Sequence, residues 1–129
     1  MTGVEIHDRA PAGPLAFDLR DILAALGART RALSWTCSGV ECIGDGADEL
    51  HRIADSGTDV DGATFARLAA SISQVIDGEF FGRREPGAPP DIIIKAIDST
   101  LWEVFADADA LAAIRRRFAD VRPAAYDAG

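Results

Sequence analysis

Cys37, Cys42 and His51 are the side chains whose types and spacing come nearest to chemistry. A thiol within reach of an imidazole is the pairing of a cysteine nucleophile with its base, and the same three groups could supply part of a zinc site. The sequence argues against both. The cysteine spacing is that of neither usual two-cysteine zinc knuckle, a fourth ligand is lacking, and His7 falls in a separate N-terminal stretch. Glu41, Asp45, Asp48 and Glu49 crowd the same segment with negative charge, which raises a thiol pKa, whereas a reactive thiolate needs an electropositive setting. Each cysteine occupies an apolar position of its strand segment, where a free cysteine packs as a small hydrophobe. No catalytic residue, metal ligand or cofactor is therefore assigned. A ligand-binding or enzymatic pocket near Cys37, Cys42 and His51 stands as the alternative to the main reading.

Other motifs fall short in the same way. Gly44 to Glu49 follows a strand and opens a helix, as a dinucleotide-binding turn does, but Glu49 stands where the third glycine belongs. Asp45, Asp48 and Glu49 would also repel a pyrophosphate. Asp59-Val60-Asp61-Gly62 has part of a calcium loop, yet aligning Gly62 puts Gly57 and Leu68 at principal ligand positions. Ser38-Gly39 and Ser99-Thr100 carry no nucleophile-elbow pattern. Arg115, Arg116 and Arg117, with Arg83 and Arg84, form the basic residues of note. Three consecutive helical residues diverge by about 100° each, so the triplet suits a helix C-terminus better than one anion.

Four residues are candidates for an interface: Trp35, Trp102, Phe81 and Ile93. All lie on expected strands, and large aromatics on a sheet either fill the core or mark a partner surface.

The composition sets the limits. The chain has 129 residues, 48% hydrophobic and 26% charged, as expected of one globular domain that needs no disulfide. Lys+Arg is 13 against Asp+Glu 21, for a net charge of −8. That balance disfavours nucleic acid and anionic membrane surfaces as partners. No signal-peptide pattern opens the chain and no apolar run approaches the roughly 20 residues of a membrane helix, so a cytoplasmic location with reduced thiols is expected.

The positioning elements follow from periodicity. Residues 1–13 carry no period and are expected to form a flexible arm, and 124–129 a flexible tail, around one domain at 14–123. Asp18 caps a helix with Leu19, Ile22, Leu23 and Leu26 on one face, stopped by Gly27. From Arg31 the period becomes two, and a phase slip at Gly39 predicts one kinked strand. A short helix carries Leu50 and Ile53, ended by Gly57. Asp61 caps a helix whose stripe of Phe65, Leu68, Ala69, Ile72, Val75 and Ile76 runs to Gly78. Strands at 79–84, 91–97 and 101–106 make an antiparallel meander, and Asp107 starts a last helix along Leu111, Ile114, Phe118 and Val121. The expected fold is α+β: about four antiparallel strands and about four helices in the order α-β-α-α-β-β-β-α.

Within the meander Ile92, Ile94 and Ala96 alternate with Ile93 and Ile97, so both sheet faces are apolar and both need cover, from helices on each side or a second subunit. The sequence thus reads as a non-catalytic, bacterial-type interaction module that binds another protein or itself as a homodimer. An acidic inhibitor of a basic partner is a further alternative.

Overall fold

The computed structural model describes residues 1–10 and 15–124. Along the chain run β1 (Thr2–Ile6), α1 (Leu19–Leu26), α2 (Ala28–Arg31), β2 (Ser34–Gly44), α3 (Ala47–Ser56) and β3 (Val60–Asp61). Then come α4 (Gly62–Ala70), β4 (Ile72–Arg83), β5 (Ile92–Ile97), β6 (Leu101–Ala106), α5 (Ala108–Arg117) and β7 (Val121–Pro123). Among the described residues the strands form one seven-stranded sheet in the order β3-β2-β4-β5-β6-β1-β7, antiparallel throughout. The expected four strands and four helices are thus corrected to seven strands and five helices.

The corrections have physical causes. Thr2–Ile6, expected as part of a loose arm, is an interior strand between β6 and β7, with Val4 and Ile6 fully buried. Three alternating residues give too short a period to see, and both partners lie about a hundred residues away. The other end of the expected arm, 11–13, and the tail from 125 lie outside the described residues. The long helix expected to Gly78 stops at Ala70, and Ile72 to Arg83 form a strand instead. Likewise α5 ends at Arg117, and Val121 belongs to β7.

Three expected caps are present. Asp18 accepts from the Leu19 N–H at 2.8 Å, and the Asp21 carboxylate returns a bond to the Asp18 N–H at 2.8 Å. Asp61 accepts from Thr64 N–H and Asp107 from Ala110 N–H, at 2.7 Å and 2.9 Å. Asp45 caps nothing, since Gly46 occupies the N-cap of α3 without a side-chain bond. Within β2, Gly39 sits at φ +60, and the pairing with β4 shifts register between Ser38 and Glu41. The bulge advances the chain by one residue, so that Cys37 and Cys42, five apart, both face inward.

Layering follows. Leu19, Ile22, Leu50, Phe65, Leu111 and Ile114 from the helices share one core cluster with Val4, Ile6, Phe80, Ile94, Trp102 and Val104 from the sheet. Aromatic rings thread that core: Trp35 stacks on Phe65 at 4.7 Å, and Phe65, Phe80, Trp102, Phe17 and Phe118 continue the series. Ile93 and Phe105, which alternate with the core positions of β5 and β6, lie outside this cluster on the opposite face. Among the described residues the helices therefore cover one face of the sheet, so that of the two expected covers, helices on each side or a second subunit, the first is not met. Among the described residues no helix is long and apolar enough to cross a membrane.

Candidate functional site

The face away from the helices is laid out in rows set by strand register. One row crosses the sheet as Thr36, Phe81, Ile93, Phe105 and Gly3, each paired with the next. It is apolar through its middle. The adjacent row reads Ser38, Glu79, Lys95, Glu103, Glu5 and Arg122, again paired in sequence across the strands. Both signs of charge occur in it, and cross-strand neighbours of opposite sign attract. Lys95 Nζ stands 3.5 Å from Glu79 Oε2, and His7 Nε2 lies 2.9 Å from Glu5 Oε1.

The two ends of the apolar row differ. Toward β1, Phe105 is fully buried, its ring occupying the space that a side chain on Gly3 would need. Lys95 Nζ lies over that ring, 5.7 Å from its centre, as a cation–π contact. Toward β2 the row opens. Phe81 is half-buried beneath the Arg83 guanidinium, 5.4 Å from the ring centre, which also donates to Thr36 Oγ1 at 2.7 Å. Ile97 is exposed and Leu101, its register partner, half-buried. Beside Ile97 a shallow recess of about 300 Å³ is lined by Ser38, Asp77, Glu79, Lys95 and Ile97. Gly39 and Gly78 also line it.

The other sequence candidates fall elsewhere. Trp35 and Trp102, expected at an interface, are 0% and 1% exposed in the helix-covered core. Trp35 Nε1 donates to the Thr30 carbonyl at 2.9 Å, which satisfies its polar atom without solvent. Neither can meet a partner unless the core opens. Phe81 and Ile93 do share the helix-free face and pair directly in register.

Cys42 Sγ and His51 Nε2 are 3.6 Å apart, so the structure does bring that pair together. The setting works against nucleophilic chemistry. Burial pushes the Cys37 thiol up to about 12, with the neighbouring Cys42 adding to the shift. Burial and then the charge of Asp18 also raise Cys42. A thiol held protonated at neutral pH is a poor nucleophile and a poor metal ligand. Among the described residues no three His, Cys, Asp or Glu side chains are grouped to hold a metal ion. The arginines of α5 are exposed in its last turn, and Arg117 lies over Phe118 at 4.9 Å.

One buried polar group escaped the sequence reading beyond its capping role. Asp18 is 8% exposed, and besides capping α1 it accepts from the Val75 N–H of β4 at 3.2 Å and 3.3 Å. Burial, the largest influence, raises its pKa above the usual value, against bonds from Leu19 and Val75 that lower it. Comparison with protein-family models, with curated proteins and with solved structures yields no match.

Proposed function

We propose that this chain is a non-catalytic interaction module that docks a second copy of itself through the helix-free face of its sheet. The observation that carries the reading is the pair of rows on that face: a partly open apolar row beside a row of mixed charge. A surface carrying both signs can meet its own image about a two-fold axis with Glu against Lys or Arg, as an isologous contact requires. A uniformly acidic face could not.

Magnitude favours a weak assembly. Five strands at about 4.8 Å spacing and five residues at about 3.4 Å rise give a footprint of about 24 by 17 Å. That is about 400 Å², roughly half of the 800 Å² per partner that standard specific interfaces bury. The net charge of −8 on each copy opposes association further, and salt screens that repulsion over about 8 Å at physiological ionic strength. Dimerisation should therefore depend on concentration and strengthen with moderate salt.

Light scattering over a concentration series tests this. Phe81→Glu and Ile97→Glu should abolish the dimer, while Arg116→Glu on the far layer should not. A strict monomer at high concentration overturns self-association, and recovery of a basic protein on the same face would replace the second copy with an unlike partner.

A further inference from the structure

A cleft unrelated to the helix-free face opens at the end of the sheet where β1 begins, β6 ends and β5 begins. Its volume of about 600 Å³ falls within the roughly 300–1,000 Å³ of small-molecule sites. Leu33, Ile92 and Ala106 give it an apolar lining, and Arg29, Arg84, Asp91 and Asp107 give it charge.

The charges are not equivalent. Asp91 is engaged by Arg84, Nε to Oδ2 at 3.0 Å. Asp107 is committed to the Ala110 N–H as the cap of α5. Arg29, among the described residues, takes part in no hydrogen bond or ion pair. Among the charged side chains of the lining, the uncommitted one is thus the Arg29 guanidinium. Its backbone is well fixed: Thr30, next in the chain, is buried, bonds Gly27 through its hydroxyl at 2.8 Å and takes the Trp35 indole N–H on its carbonyl. Ala108 also lines the cleft at the first position of the ten-residue α5, where a backbone N–H has no acceptor within the helix. The guanidinium favours an anion, while the helix start is already served by the Asp107 carboxylate.

We propose that this cleft binds a small amphipathic monoanion, a carboxylate carried on a compact apolar body. The carboxylate meets Arg29 and the apolar body lies on Leu33, Ile92 and Ala106. Asp91 and Asp107 in the same lining weigh against a doubly charged phosphate, which they would repel.

The test is a titration of the full chain with benzoate and hexanoate, followed by backbone amide NMR, with benzamide and hexanamide as neutral counterparts. At least one carboxylate should give saturable shifts grouped at Thr2, Leu33, Ile92 and Ala106–Ala110. Loss of a charged hydrogen bond should weaken each amide by about tenfold or more. Arg29→Gln should weaken the carboxylate by a similar factor, with Arg116→Gln unchanged as a control. Ala108→Trp, at an exposed position, should fill the cleft and remove the shifts. Scattered or absent shifts with both carboxylates would overturn the proposal. So would equal binding of the amides, or unaltered binding to Arg29→Gln or Ala108→Trp. None of these outcomes bears on self-association, which is read on the other side of the molecule.

Discussion

Asp18→Ala removes two things at once: the cap of α1 and the acceptor for a buried β4 amide. Losing an Asp cap costs about 1 kcal/mol. Leaving the N–H of Val75, a residue 2% exposed, without a partner costs a further 1–3 kcal/mol by the usual penalty for a buried unsatisfied donor. Removing a carboxylate that burial disfavours in its charged form returns part of this. The net loss should be about 2–3 kcal/mol. With an unfolding entropy of about 2.1 cal/mol/K per residue over 129 residues, that lowers Tm by about 7–11 °C. Asp18→Asn keeps an acceptor and should lose less than half as much.

The pH dependence gives an independent sign. Because the folded pKa of Asp18 is raised above 3.8, the folded protein holds that proton more tightly than the unfolded chain. Its contribution is therefore fully present below pH 3.8 and is lost as pH rises through the folded pKa. Urea unfolding of the parent and of Asp18→Asn at several pH values isolates this, since the other carboxylates cancel in the difference. The parent should lose stability relative to Asp18→Asn as pH increases. An Asp18→Ala cost below about 0.5 kcal/mol, the size of an ordinary surface change, would refute the bridging role. A difference that grows in the parent's favour with rising pH would refute the dominance of burial.

Two further outcomes follow from the core. Cys37 and Cys42 should resist a disulfide thiol reagent at pH 8, reacting at a rate that follows global unfolding in urea; rapid labelling without denaturant would contradict their burial and raised pKa values. Gly62→Ala should cost at least about 2 kcal/mol, because the new Cβ would lie 2.4 Å from both Arg31 Cα and the Thr30 carbonyl oxygen, and overpacking against backbone has no side chain to yield. Gly57→Ala, at φ +67 with open space around it, carries only the strain of a left-handed backbone, about 1–2 kcal/mol, so Gly62→Ala should be the costlier of the two in urea unfolding; a smaller cost at Gly62 would contradict the contact.

What the sequence disclosed depended on how local the determining contact is. The caps at Asp18, Asp61 and Asp107 bond within three residues, so their spelling sufficed. Asp45 has the right type for a cap, but the glycine beside it holds that position. The overlong helix has a specific origin: Ile72, Val75 and Gly78, the first three buried positions of β4, are three apart, since the strand is irregular against the bulge of β2. A bulged strand imitates half of a helical period, and Phe65, Leu68 and Ala69 of the true helix run into it in phase. Ser71, in a helical conformation with its hydroxyl on the Leu68 carbonyl, ends α4 without the glycine that would have announced the stop.

The candidate surface was half legible for a related reason. Phe81 and Ile93 share a face because the β4–β5 hairpin pairs them, and alternation alone shows that they oppose Phe80 and Ile94. Which face the helices take is a different question, since both phases of β5 and β6 are apolar. It was decided by residues far from the meander, Leu19, Phe65 and Ile114, which pack with Phe80 and Ile94 and thereby bury both tryptophans. Once that choice is made, the other phase must manage its own apolar side chains. Gly3 and Lys95 do so at the β6–β1 end by admitting and covering Phe105. At the β2–β4 end, Arg83 alone lies over Phe81, held by one contact to Thr36. A guanidinium at a protein surface is readily displaced by an apolar neighbour, because its hydrogen bonds can be remade to water or to a carboxylate. That asymmetry places the open end of the apolar row at Phe81, and makes Phe81→Glu the sharper of the two interface substitutions.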